Sequence, residues 1–506
     1  MKQFLFILVI ILYSIVNGIY AQSNIEEIRL QLLDINSKTT ELQGLVLDKN
    51  KIEALPFTSI VFLHKHKGTI SNENGYFTVN STLLNSNDTI SIQFMGYKSI
   101  KLTLDDFRKN PIIYLEENIF SLNDIFVFGT QPDATDIIEK VIERKDENYK
   151  NINAKTKVFI RQRNIYDLNN FTLKFKKSTF ESINKKLNKL IENKIPKHTS
   201  SFNDFLGYLY QKGQGNDSIN IKIEPIQVVV LKGEEIDYSH LESVFKKLFK
   251  NTKEKEYWKI KSGILSKKLE IIDNDSVKLE DNEIYTRFYQ HNIENSYNFL
   301  TFKDEKEWEF LYKTGRYKYT MAGGTVVNGE EVYIIDFTPD GSGIYKGRVY
   351  VSIATNALIR ADYEYAPEKH GANVHLLGVS YNDNKFKASI YFEKKEGSYR
   401  LKYLSLKRGV AVGVNRNLSL IKKRERFLFD KKLYEYKVRL KMKQNTEQYI
   451  EMLVIDEQKI TKNIYDSYSP KEKMKVINVK QFDDNLWNNF TIITPTKQMK
   501  DYRKLE

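Results

Sequence analysis

The chain has 506 residues, 41% of them hydrophobic and 13% aromatic, with a formal net charge of +14. That apolar content is enough to fill buried cores, which excludes a disordered chain, and the length fits about three domains of ordinary size. The absence of any cysteine excludes disulfides, thiolate zinc sites and cysteine nucleophiles together.

Lys2 precedes an apolar run from Phe4 to Val16, and Gly18-Ile19-Tyr20-Ala21 places a small residue ahead of Gln22. This is the layout of an export signal over residues 1–21, and the run is too short for a stable bilayer span. No cysteine follows it, so acylation of a mature N-terminal cysteine is excluded. The expected address is the periplasm or an outer-membrane-associated position. Ile25, Ile28, Leu32 and Ile35 then recur at three- and four-residue spacing, which predicts a short amphipathic helix within residues 22–40.

Residues 41–117 carry dense turn punctuation: Asp48-Lys49-Asn50, Pro56 at a strand start, and Asn72-Glu73-Asn74-Gly75 closing a hairpin, with Gly75 supplying a positive φ. Gly96 is expected to bend the chain after a strand ending at Met95. Phe94 and Tyr97 should fill the space between two sheets, and Thr69 should face Tyr76 across the hairpin. In order, the motifs are Gly44-x-Val46, Leu55-Pro56-Phe57-Thr58-Ser59-Ile60, Lys67 to Phe77, and Ile90 to Tyr97. As a set they closely resemble the carboxypeptidase regulatory-like domain, a transthyretin-like sandwich at the start of many exported proteins of Bacteroidota. The resemblance implies a seven-stranded β-sandwich and an envelope address. It implies no chemistry.

Residues 118–150 read as a connector: an apolar segment Ile125-Phe126-Val127-Phe128, then Gly129 and Pro132, then a helix capped by Asp133 or Thr135 with Ile137, Ile138, Val141 and Ile142 on one stripe. TonB-dependent transporters that begin with such a sandwich continue into a plug and barrel; the helix found here is similar instead to exported proteins of unassigned function. Residues 151–299 predict an α+β region. A strand alternates around Val158 to Ile165, a helix is marked by Phe180, Ile183, Leu187 and Leu190 and ended by Pro196, and a second helix carries Leu241, Val244, Phe245 and Leu248.

Over residues 300–480 the pattern turns to antiparallel β. Phe386, Ala388, Ile390 and Phe392 alternate with polar residues, the turn Lys394-Lys395-Glu396-Gly397 returns the chain as Tyr399, Leu401 and Tyr403, and Tyr434, Tyr436, Val438, Leu440 and Met442 form a further stripe. The segments Val332 to Pro339 and Tyr345 to Ser352, with a turn at Thr355-Asn356, are similar to the half-barrel of periplasmic lipoprotein carriers, which implies a curved sheet around an apolar cavity. A transmembrane barrel is not expected, because residues 481–506 read as a basic C-terminal tail and not as a closing strand. The fold class is therefore mainly β with α+β: the sandwich, an α+β region and a large curved antiparallel sheet.

Basic residues are scattered among acids, and the densest run, Lys422-Lys423-Arg424-Glu425-Arg426, continues into Phe427-Leu428-Phe429. Such a run reads as a solvated strand or, if several cations converge on one face, as a phosphate-binding patch; a nucleic-acid partner is not expected. Among seven histidines, His291 and Glu294 form one His-x-x-Glu pair, followed only by His370 and His375, and His64 and His66 share a strand face. No nucleophile elbow, phosphate-cradling loop or dinucleotide fingerprint occurs.

No catalytic, cofactor or metal residue is assigned. The sequence is read as a non-enzymatic exported envelope protein whose sandwich is an interaction or spacer module and whose C-terminal sheet binds an apolar ligand, a lipid or an envelope protein. Two alternatives stay open: a zinc-type envelope hydrolase centred on His291 and Glu294, and a surface adhesin-like structural protein.

Overall fold

The computed structural model describes residues 25–63, 67–120, 132–181, 183–213, 220–232, 249, 252–263, 265–269, 281–300, 302–470, 474–487, 490 and 492–502, the side chains of 67, 83, 232, 281–288 and 484 excepted. The signal read at residues 1–21, the pair His64 and His66, the Ile125–Phe128 segment and the Leu241–Leu248 helix lie outside these residues. The chain divides into two compact units. One comprises Met1–Gln131, Gly323–Val332 and Phe482–Tyr502; the other comprises Pro132–Ala322, Tyr333–Gln481 and Arg503–Glu506.

The first unit is built on strands β1 (Glu41–Asp48), β2 (Ser59–Phe62), β3 (Lys67–Ile70), β4 (Tyr76–Asn80), β5 (Thr89–Gln93), β6 (Ile100–Thr103) and β7 (Ile112–Leu115). They form two sheets, ordered β4-β1-β7 and β3-β2-β5-β6, so the expected seven-strand count holds. The core between them joins Leu42, Val46, Ile60, Phe77, Ile90, Ile92 and Phe107, with Phe94 and Tyr97 packed against it. Residues 25–38 are helical, and Leu32 is buried against Leu45, Leu47 and Ile112; Ile35, the last member of the predicted stripe, is exposed.

The turn at Asn72 departs from the expected hairpin. Thr69 pairs with Ile60 in one sheet and Tyr76 with Leu45 in the other, so the turn carries the chain between sheets. The Asn72 Oδ1 atom accepts the amides of Asn74 and Tyr76 at 3.0 and 3.1 Å, and Gly75 has φ +78°, where a Cβ would lie 2.8 Å from the Val46 carbonyl oxygen. The change of sheet needs a left-handed residue pressed against a neighbouring backbone, and glycine meets both demands.

The stretch read as a basic C-terminal tail packs within this unit over 482–502. The Thr69 hydroxyl donates to the Ile492 carbonyl at 2.9 Å, the Thr78 amide donates to Thr494 Oγ1 at 2.9 Å, and Ile493 and Met499 are fully buried. The hairpin end Gly323–Val332 joins as well, through paired backbone bonds between Phe120 and Gly324 at 3.0 and 3.1 Å.

The second unit holds β8 (Ala154–Ser178), β9 (His198–Lys212), β10 (Asn220–Lys232), β11 (Glu256–Ser262), β12 (Leu265–Leu269), β13 (Tyr317–Val327) up to Ala322, β14 (Glu330–Pro339) from Tyr333, and β15 (Tyr345–Ser352). It continues with β16 (Leu358–Tyr365), β17 (Asn373–Leu376), β18 (Val379–Lys395), β19 (Ser398–Arg424), β20 (Lys431–Lys459) and β21 (Ile477–Val479). The path β13-β14-β15-β16-β18-β19-β20-β8-β9-β10-β21 is open among the described residues, and β11, β12 and β17 pair beside it. All pairings given for this sheet are antiparallel except that of β21 with β10. The sheet is thus mixed only through that short pairing, and the large antiparallel sheet expected over 300–480 takes in β8, β9 and β10 from earlier in the chain.

Three central strands, β8, β19 and β20, run for 25, 27 and 29 residues, far beyond the ordinary strand length of about 5–6. The helix predicted around Phe180–Leu190 starts only at Lys185: Asn184 caps it by accepting the Lys186 and Leu187 amides, and Phe180 and Ile183 pack from the preceding loop against Trp258. On the sheet, the helix Asp281–Phe299 buries Tyr289, Ile293 and Tyr297, one residue per turn, the spacing that puts a single face inward.

A row of ions crosses this sheet. Asp204, Arg161 and Glu451 are direct register neighbours on β9, β8 and β20. Asp204 takes the Arg161 guanidinium with two bonds of 2.8 and 2.7 Å, and the Tyr403 hydroxyl donates to Glu451 at 3.0 Å. All three ionic side chains are at most 3% exposed.

Candidate functional site

The second unit carries a partly open cavity of about 240 Å³. Its position follows from how the chain leaves the helix Ala134–Glu143, which Asp133 caps as expected by accepting the Thr135 amide. After the short helix Lys145–Asn148, residues 148–150 are tied to two strand ends. Asn148 Nδ2 donates to the Thr355 carbonyl at 3.1 Å, the Tyr149 hydroxyl to the Leu358 carbonyl at 2.7 Å, and Ser398 Oγ to the Asn148 carbonyl at 2.8 Å. Tyr149 is thereby pressed into a ring cluster with Phe302 at 4.9 Å, Phe392 at 5.1 Å and Tyr399 at 6.1 Å.

Phe392 and Tyr399 reach this place because β18 turns into β19 through Glu396 and Gly397, both at positive φ (49° and 77°), as a two-residue turn of the primed kind requires. A bulge between Tyr391 and Phe392 shifts the register just before the turn. The stripe read as plain sheet alternation therefore supplies an aromatic wall.

Charged groups share the lining. Arg400 Nε lies 3.6 Å from Glu457 Oε1, too far for a hydrogen bond, and both side chains are only 13% exposed. Arg400 Nη1 donates to the Lys150 carbonyl, while Arg400 Nε is buried with no hydrogen-bond acceptor. Burial pulls the Arg400 pKa below its ordinary value despite Glu457 and Glu396, and burial pushes Glu457 up despite Arg400. The two ions are desolvated without being fully satisfied by each other. Lys145, Lys150 and Lys303 bring the lining to four cations against Asp146 and Glu457. The lining is not the apolar one that the half-barrel likeness implies: five aromatic and six charged residues share it with aliphatic and amide side chains, because strand ends and helix termini meet there and both carry polar chain.

The residues singled out by motif fall elsewhere. His291 and Glu294 share the helix Asp281–Phe299, but His291 Nε2 faces Asn295 Nδ2 at 3.0 Å and Glu294 accepts from Gln290 Nε2 at 2.5 Å. His370 and His375 are exposed. No group of three His, Asp or Glu side chains able to hold a metal ion occurs among the described residues, so His291 and Glu294 find no third ligand there. Lys422 and Arg424 close β19 and both engage Glu256, at 2.9 and 2.6 Å.

Sequence reasoning placed Tyr399 on a strand and missed Tyr149, Arg400 and Glu457 as a set. Asn148 and Ser398 are 250 residues apart, and no local pattern signals a meeting across that separation.

Among solved structures, the chain is similar to the complex of MucA and MucB from Pseudomonas aeruginosa, at 7% identity over 63% of this chain and 93% of that one, with a TM-score of 0.18. A DUF1329 family protein from Desulfovibrio piger matches at 10% identity, covering 65% and 95%, with a TM-score of 0.21. The LolA superfamily protein NE2245 from Nitrosomonas europaea matches at 12% identity, covering 66% and 98%, with a TM-score of 0.16. No curated protein matches the chain in sequence. No helix among the described residues is long and apolar enough to cross a membrane. The resemblance seen in the motifs from Gly44 to Tyr97 is matched by a family: residues 42–127 fit the CarboxypepD_reg-like domain, and they take in all seven strands of the sandwich but for Glu41 at the start of β1.

Proposed function

We propose that this chain is a non-enzymatic protein of the cell envelope whose sheet unit holds a small amphiphile with an apolar end and an anionic group. The observation that carries the reading is Arg400: a guanidinium whose buried Nε has no acceptor, in the same lining as the rings of Tyr149, Phe302, Phe392 and Tyr399. A buried donor left unmade costs about 1–3 kcal/mol, which a ligand carboxylate or phosphate accepting from it would recover. The rings offer the apolar part a dry wall. At about 240 Å³ the cavity falls just under ordinary ligand pockets of roughly 300 Å³ and more, so it suits a chain end or short amphiphile and not a whole phospholipid. The export signal read at residues 1–21 supports the envelope address, and the CarboxypepD_reg-like domain serves as the interaction or spacer module.

The test is calorimetric titration of the full chain with decanoate and with decanol. Decanoate is expected to bind at least about tenfold more tightly, as one charge-assisted hydrogen bond predicts. That preference should vanish in Arg400→Gln while decanol binding stays. Equal binding of the two ligands by the natural chain, or no binding of either, overturns the reading.

A further inference from the structure

β19 and β20 pair as far as Arg424 and Lys431, with a register shift between Lys422 and Lys423, and beyond that the chain turns through Glu425–Asp430. At this tip Phe427 is 101%, Leu428 78% and Phe429 86% exposed. Three consecutive large apolar side chains held in water are an error in a soluble protein unless something covers them.

The base of the tip is fastened. Glu256 takes Lys422 and Arg424, Glu425 takes Lys268 at 2.8 Å and the Lys255 carbonyl accepts the Glu425 amide at 2.8 Å, while the Tyr257 hydroxyl donates to Asp430. Both carboxylates of the turn are thus engaged by groups at its foot. From Lys422 to Lys432 the chain carries six cations, of which Lys422 and Arg424 are held by Glu256 and Lys432 by Glu435, and β11 and β12 set Lys259 and Lys267 on the adjoining strands.

From this geometry we infer that the tip is a membrane-engaging finger, in which Phe427, Leu428 and Phe429 enter the interface of an anionic phospholipid bilayer and the surrounding cations meet its headgroups. Size and charge favour a bilayer over a protein partner. Three such side chains bury at most about 500 Å², short of the roughly 800 Å² per partner that a stable protein interface needs. Partitioning into a bilayer has no such threshold: it adds apolar insertion to cationic attraction, and two such signals suffice for anchoring. A projecting wedge with a cationic collar is the complement of a soft, negatively charged plane.

Vesicle co-sedimentation of the full chain tests this, using phosphatidylcholine with and without phosphatidylglycerol. The expectation is binding to the anionic vesicles that weakens as salt rises and falls by about tenfold or more in the triple variant Phe427→Ser, Leu428→Ser, Phe429→Ser. The apolar run at residues 4–16 gives every variant the same background, so the difference is the readout. In a second measurement, Leu428→Trp should shift its emission to the blue with anionic vesicles and not with phosphatidylcholine alone. Equal binding by the triple variant, or unshifted emission, overturns the finger. So does a chain that ignores vesicles while its triple variant loses self-association or single-stranded DNA binding, which would assign the tip to a second copy or to a polyanion. Arg400→Gln should leave vesicle binding unchanged, which separates this proposal from that of the cavity.

Discussion

Arg161 occupies a position that a sheet normally gives to valine or isoleucine. Its charge is tolerated because Asp204 and Glu451 stand on either side of it in register, one on each neighbouring strand. Removing the cation strands both carboxylates in a desolvated row, and breaking a buried pair in this way costs about 3–5 kcal/mol, more than the pair itself contributes. Arg161→Met is therefore expected to destabilise the second unit by about that amount, read by urea unfolding through Trp258 and Trp308, both of which lie in that unit. A loss below about 1 kcal/mol, the value of an exposed pair, would show that the row is hydrated. Nothing local in Lys157 to Asn164 marks Arg161 as an interior residue: residues 158–164 are buried at every position, which erases the two-residue alternation from which burial is inferred. Gly75 is the opposite case. Its turn residues are contiguous, so its positive φ was readable, while the destination of the next strand was not.

The hairpin of β11 and β12 is joined to the long strand β19 by register pairing from Glu256–Arg424 to Ser262–Leu418, and Glu256 is the ionic clasp at one end. Arg424, the Lys253 amide and Lys422 hold its carboxyl down at about 2, from an ordinary 4.5. A depressed carboxyl stabilises the fold above its unfolded pKa, and that contribution is lost as pH falls through the folded value. The clasp is thus fully present above pH 4.5 and disappears toward about 2. Glu256→Gln should be less stable than the natural chain at neutral pH and show a flatter loss of stability over that acid range in pH-dependent thermal unfolding. Parallel acid limbs in the two proteins would refute the assignment. The helices behaved as their periodicity indicated where a single stripe was buried, as at Ile137, Ile138 and Val141. Strand length was less legible: over β20 the stripe from Tyr434 to Met442 buries only Val438 fully, so half-buried faces blur the pattern at the point where the strand continues.

On the scale of the molecule, the sandwich was legible as a fold because its turns, glycines and core aromatics all lie within one contiguous stretch. Its completion was not, because two further segments join the unit from far along the sequence. The dense charge from Lys497 to Glu506 made 481–506 read as a tail, yet over that whole stretch four basic residues are matched by four acids, and Trp487, Ile493 and Met499 are buried within the first unit; charge at the end of the chain hides apolar residues spaced this widely. Ending the chain at Gln481 should remove on the order of 5 kcal/mol from the sandwich, seen as a lower and separate calorimetric transition, with the transition of the second unit unmoved. An unchanged sandwich transition would mean that 482–502 only lies on its surface.

The contact between Thr69 and Ile492 spans 423 residues. Synthesis runs at about 5–20 residues per second, and domains ordinarily fold as they emerge. Here the earliest β-strands must wait on the order of half a minute for their covering segment, with the edge at Thr69 and Ile70 unsealed in the meantime. The order in which this protein is made is therefore the reverse of the order in which its first unit is finished. Any machinery that must thread the chain before it locks meets an incomplete sandwich throughout that interval.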